Sequence, residues 1–131
     1  MTKPVTSTKD WADYQRRTTG PVEVKLGEGK RTVWADGLQV DPDAAVVAEA
    51  KYVGTPGRSM YEGKAPPAML DFLLADFDSE MNRYRHLVED PHNPVSRVRI
   101  ITNTQDGADF LRQRARRLLG PAIDLDVRHT P

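Results

Sequence analysis

The chain has no cysteine. Disulfides, thiolate zinc sites and thiol nucleophiles are therefore excluded. Its only imidazoles are His86, His92 and His129. No second ligand stands at a recognisable metal spacing from His92-Asn93, and His86 is expected on a helix surface. Arg58-Ser59-Met60 does not match the elbow of a serine hydrolase. No apolar stretch approaches the roughly 20 residues that span a bilayer. Met1 to Gly20 is polar and lacks an apolar h-region, so no signal peptide is expected. Net charge is absent too: 19 Lys and Arg balance 19 Asp and Glu. That balance argues against a generally basic nucleic-acid binder. There is no internal repeat and no low-complexity segment.

What is present is enough for one core. At 131 residues, 38% hydrophobic and 29% charged, the composition is that of an ordinary globular domain. Residues 1–9 read as a flexible lead-in and 10–131 as a single domain. Asp10 can cap a helix that runs to about Arg17 and stops at Gly20-Pro21. Val22 to Leu26 alternates as a strand. Gly27-Glu28-Gly29-Lys30 lacks the full spacing of a phosphate loop and reads as a hairpin turn. Thr32 to Val40 reads as a second strand, and Ala44 to Val53 as a third, completing a meander. Gly54 to Pro67, rich in Gly and Pro, is a long loop of the kind that often serves function.

Ala68 to Glu89 predicts one long amphipathic helix, with Leu70, Leu73, Leu74, Phe77, Met81, Tyr84 and Val88 inward. Its acids Asp71, Asp76, Asp78 and Glu80 are expected on a solvated face. Val95 to Thr102 is a strand. Asp106 starts a helix with Leu111, Ala115, Leu118 and Leu119 inward, closed by Gly120-Pro121. Ile123 to Val127 is a last strand. The order α-β-β-β-α-β-α-β predicts an α/β fold, a mixed sheet flanked by helices.

From Met81 onward there are nine Arg and no Lys against six acids. Arg97 and Arg99 alternate along a strand, and Arg112, Arg114, Arg116 and Arg117 cluster in a helix. Arginine is the better phosphate reader, but solvated faces are the expectation for most of these.

The run Ala44-Ala45-Val46-Val47-Ala48-Glu49-Ala50-Lys51-Tyr52-Val53 carries the chemistry. Alternation puts Val47, Glu49, Lys51 and Val53 on one face, and Val46, Ala48, Ala50 and Tyr52 on the other. Both faces are largely apolar, so the strand is expected in the sheet interior. An acid and an amine projecting from a buried strand need a partner or a metal. Pro42 disfavours a primed two-residue turn, so a four-residue loop, Asp41 to Ala44, is expected. Symmetric closure then sets Val40 against Ala45 and Asp36 against Glu49. Two carboxylates about 5 Å apart repel unless a cation lies between them. With water and substrate oxygens they suit Mg²⁺. Lys51 can orient a water or hold a phosphate oxygen. The pattern proposes metal-assisted phosphodiester hydrolysis. Arg58 and Lys64, on the loop after Lys51, are candidates to reach a substrate phosphate.

Asp36 followed by Glu49-Ala50-Lys51 resembles the D…(D/E)xK signature of restriction-endonuclease-like nucleases. With Tyr14-Gln15, Thr19-Gly20, Trp34-Ala35-Asp36-Gly37 and Ala48-Glu49-Ala50-Lys51, the chain from about Trp11 onward is similar to the restriction-endonuclease-fold toxin domains of bacterial polymorphic toxins. The resemblance implies that Asp36, Glu49 and Lys51 are catalytic. It implies Mg²⁺ or Mn²⁺ held by Asp36, Glu49 and the Ala50 carbonyl. Many such nucleases add a first-helix Glu; here Gln15 stands nearby, and Glu23, outside the helix, is the other candidate to assist. The resemblance further implies cleavage of DNA in preference to RNA, a cognate immunity protein, and an effector acting in the cytoplasm of a target cell. The rival reading is a catalytically inactive protein- or nucleic-acid-binding module on the same fold, with Glu49 and Lys51 as an internal ion pair.

Overall fold

A computed structural model describes the backbone of residues 1–131 and every side chain but that of Arg31. It contains two sheets and four helices. Strands β1 (Thr2–Pro4), β2 (Val22–Leu26) and β3 (Val33–Ala35) form an antiparallel sheet in that order. Strands β4 (Gly37–Asp41), β5 (Ala44–Lys51), β6 (Val95–Thr102) and β7 (Asp124–His129) form the second. Here β4 runs antiparallel to β5, while β5, β6 and β7 are parallel. Each parallel step is bridged by helix, as such connections require. Helices α2 (Pro67–Leu73) and α3 (Ala75–Glu89) join β5 to β6, and α4 (Gln105–Leu119) joins β6 to β7. The predicted mixed α/β architecture is therefore present.

Val47, Val98 and Ile100 from the sheet share a core with Phe77, Met81 and Tyr84 of α3 and Leu111 and Ala115 of α4. Helix α1 (Asp10–Thr19) packs against β5 and β4. Its Tyr14 hydroxyl donates 2.7 Å to the Thr130 carbonyl, tying the helix to the end of β7.

Several elements differ from expectation. The lead-in is not bare: Thr2–Pro4 adds an edge strand to β2. The strand expected over Thr32 to Val40 breaks at Asp36 and serves two sheets. The break sits where Gly37 passes under α1; a Cβ at Gly37 would run into the Thr19 carbonyl oxygen. The turn is tighter than four residues, because Asp41 pairs with Ala44 and only Pro42-Asp43 loops out. Among the described residues no non-glycine residue has positive φ, so the turn is still not a primed one. The register is unchanged, with Val40 against Ala45 and Gly37 against Ala48.

The long helix is broken at Leu74, whose backbone (φ −98°, ψ 12°) leaves the helical region while its side chain is fully buried. The turn before it swings outward, so Leu73 is exposed rather than inward, along with Met69 and Phe72. The Gly- and Pro-rich loop is partly ordered. Buried Glu62 caps it from within, accepting from the Gly57 amide at 2.8 Å and the Thr104 hydroxyl at 3.0 Å. Asn103 pins its start, accepting from the Val53 amide (2.7 Å) and donating to the Val53 carbonyl (2.9 Å). Among the described residues no helix is long and apolar enough to cross a membrane.

Candidate active site

The bend at Asp36 and the end of β5 meet at a cleft of about 570 Å³. Asp36, Glu49, Ala50 and Lys51 line it, with Gln15 from α1 and Glu23 from β2. The Asp36 carboxylate accepts from the Ala50 amide at 2.7 Å, and its own amide reaches Glu49 Oε1 at 3.4 Å. These bonds fasten the two acids to one corner of the sheet. Glu49 is 1% exposed. Its Oε2 lies 3.3 Å from Lys51 Nζ. Of the other expected residues, Gln15 is buried with its Nε2 unpartnered, and Glu23 is half-buried at the rim. Arg58 and Lys64 are not brought in. Arg58 is exposed on the loop, and Lys64 lies 3.8 Å from Asp106 of α4.

The helix α3 completes the site from the opposite wall. Glu80 takes Lys51 Nζ between its oxygens, at 3.1 and 3.4 Å. The buried Tyr84 hydroxyl donates to Glu49 Oε1. The sequence pattern alone puts neither residue in the site: it sets Glu80 on a solvated face and Tyr84 in the core. A signal existed. Phe77, Glu80 and Tyr84 follow one another at three- and four-residue steps, so Glu80 lies on the edge of the buried stripe.

The electrostatics follow from crowding three acids, two of them buried, around one amine. Burial pushes Asp36 up to about 6, against the pull of Lys51. Burial and the neighbouring Asp36 charge push Glu49 up to about 7. Burial and Glu49 push Glu80 up to about 8. For Lys51, burial works against the charged form, but Glu49 and Glu80 outweigh it and raise its pKa, so the ammonium persists. The cluster is short of positive charge. Among the described residues no three His, Cys, Asp or Glu groups form a ready metal cage. The donors at hand are two carboxylates, a main-chain carbonyl and a side-chain amide, all hard oxygen ligands, which fit a hard divalent cation.

A family model described as restriction endonuclease fold toxin 2 matches residues 10–119. The chain belongs to that family. Comparison with curated proteins and with solved structures finds no match. Membership in this toxin family points to a nuclease, and the match spans α1 through α4. In this restriction-endonuclease-fold toxin three arginines of β6 and α4 are engaged elsewhere. Arg97 and Arg99 pair with aspartates across the sheet, and Arg114 pairs with Asp78.

Proposed function

We propose that the domain is a divalent-metal-dependent nuclease that hydrolyses phosphodiester bonds, with DNA preferred to RNA. The observation that carries this reading is the convergence of Asp36, Glu49, Ala50 and Lys51 on one cleft in a chain of the toxin family. Asp36, Glu49 and the Ala50 carbonyl would hold Mg²⁺ or Mn²⁺. When bound, such a cation polarises a phosphoryl oxygen and eases deprotonation of the attacking water. Lys51 stays protonated, so it acts as a donor rather than a base. Its ammonium can fix the water or a non-bridging oxygen and offset charge developing on phosphorus. Glu80 keeps that ammonium aimed, and Tyr84 fixes the Glu49 rotamer. Gln15 and Glu23 border the same space and assist from behind the ligands. In the cell, the family assignment supports an effector that acts in a target bacterium's cytoplasm and is restrained by a cognate immunity protein.

The test incubates purified protein with plasmid, single-stranded DNA and RNA, with Mg²⁺, Mn²⁺ or EDTA. Cleavage is expected with metal, to stop with EDTA, and to vanish in folded Glu49→Ala and Lys51→Ala variants. Intact nucleic acid under every metal would reject the enzyme in favour of a binding module, with Lys51 serving only as an internal ion-pair partner.

A further inference from the structure

We propose that the outer face of the three-stranded sheet is a track for an unpaired polynucleotide, which makes single strands the preferred substrate. The inference deepens the nuclease reading and rests on it for the chemistry, but the track stands on separate observations. The chain has two tryptophans, and both Trp11 and Trp34 line the cleft. Trp11 is 47% exposed, unusual for a side chain that normally hides its area. Trp34 alternates with buried Val33 and Ala35, and it lines the same cleft as Asp36.

Cations surround Trp34. Lys25 is its cross-strand partner, and Lys3 Nζ sits 4.3 Å from its ring centroid. Both lysines are exposed. This differs from Arg97 and Arg99 of β6 and Arg114 of α4, whose forks are filled by aspartates. Arg83 adds a cation on the opposite lip. Gln15, 5% exposed, brings a buried amide nitrogen without a partner to the same cleft. Glu23 lies across from Lys3 at the rim, which steers phosphates toward the lysine side and leaves the indoles to the bases.

Bases stacked on aromatic rings beside a cationic path is how single strands are held without sequence preference. A duplex keeps its base faces stacked inside, out of reach of Trp11 and Trp34. It must instead be gripped through many phosphates, and a chain of zero net charge whose β6 arginines are filled by aspartates is poorly supplied for that.

The experiment is an indole fluorescence titration of the full chain in EDTA, where nothing is cleaved, with a thymidine oligonucleotide and with a hairpin duplex of equal length. The single strand should quench emission and bind at least roughly tenfold more tightly than the duplex. Trp11→Ala should weaken single-strand binding roughly tenfold. Lys25→Glu, on the exposed surface, should weaken it without touching the packing, and Lys3→Ala should flatten the salt dependence by about 0.7 in log–log slope. Equal or tighter duplex binding overturns the track, as does unchanged single-strand affinity in folded Trp11→Ala and Lys25→Glu. Single-strand binding in EDTA, together with no cleavage of that strand when Mg²⁺ or Mn²⁺ is added, overturns the catalytic reading and leaves the track intact.

Discussion

The four-stranded sheet holds one cluster of charge across β4, β6 and β7 and another at the C-terminal end of β5. In the first, Arg97 forks onto Asp41 at 2.8 Å, Asp43 at 2.9 Å and Asp124 at 2.9 Å. Arg99 reaches Asp126 at 2.8 Å and the Gln39 amide oxygen at 2.7 Å, and also bonds Asp41. The Arg99 and Arg97 hydrogen bonds hold Asp41 below the usual carboxylate range, and Arg97 does the same for Asp43. Asp126 is also lowered: partial burial opposes the shift, but Arg99 and Arg128 prevail. In the second cluster the acids are raised instead, because two buried carboxyls and the half-buried Glu80 share one ammonium. The first arrangement satisfies its charges and ties strands together. The second leaves its carboxyls without enough compensation, a cost to folding that the proposed cation would relieve. The carboxyl shifts thus run downward in the ladder and upward in the candidate site.

The largest effect that would test this contrast is in the cleft. Glu80→Gln should slow metal-dependent hydrolysis about 100-fold, the scale of losing one electrostatic contact to the reacting centre. It should also raise the melting temperature, because it removes one of three crowded acids. A variant that is both slower and less stable would show that Glu80 is scaffold after all.

The ladder should behave the other way. Arg99→Met leaves Asp41, Asp126 and Gln39 without their shared donor. The expected loss is about 2 kcal/mol in urea denaturation, below the cost of a fully buried pair because the aspartates keep some water. The folded fraction should cleave at the wild-type rate. Reduced turnover per folded molecule would mean that the two clusters are coupled.

A smaller effect tests the link between core and site. Tyr84→Phe keeps the ring in the core with Phe77 and Met81 but removes the donor to Glu49 Oε1. Hydrolysis should fall about tenfold, the worth of one hydrogen bond to a charged group, and more metal should be needed for half-maximal rate. Unchanged metal dependence would place Tyr84 back among purely packed residues.

The fold and half of the cleft were legible because strand alternation is a strict code. Opposing Val40 to Ala45 carried Asp36 to Glu49 whatever the exact turn length, since shortening the loop symmetrically preserves register. The kink at Asp36 was not legible, because it follows from the close approach of α1 to Gly37, a contact between segments that no local pattern encodes. The hinge at Leu74 has neither Gly nor Pro to announce it. Glu80 was missed because an acid among Asp71, Asp76 and Asp78 reads as solvent-facing. Only its spacing from Phe77 and Tyr84 distinguishes it. Arg97 and Arg99 read from sequence as solvated cations, because only the pairing of β6 with β7 sets Asp124 and Asp126 beside them.

The most gradual effect is the dependence of stability on pH, and its two limbs belong to the two clusters. Asp36, Glu49 and Glu80 have folded pKa values of about 6, about 7 and about 8, above unfolded values of about 4. Between those limits the native state binds more protons than the unfolded chain, so stability falls as pH rises toward 8. Asp41, Asp43 and Asp126 are shifted down; their contribution is present above about pH 4 and is lost as pH drops below it. The melting temperature should therefore peak in mild acid and decline on both sides. Mg²⁺ competes with protons for the cleft carboxylates, so it should raise the melting temperature more at pH 8 than at pH 5. Glu80→Gln should shrink the alkaline decline, and Arg99→Met should leave that limb in place. Thermal melts across pH, with and without Mg²⁺, measure both limbs. A Mg²⁺ shift of equal size at both pH values would mean that the raised carboxyls are not the ones that meet the cation.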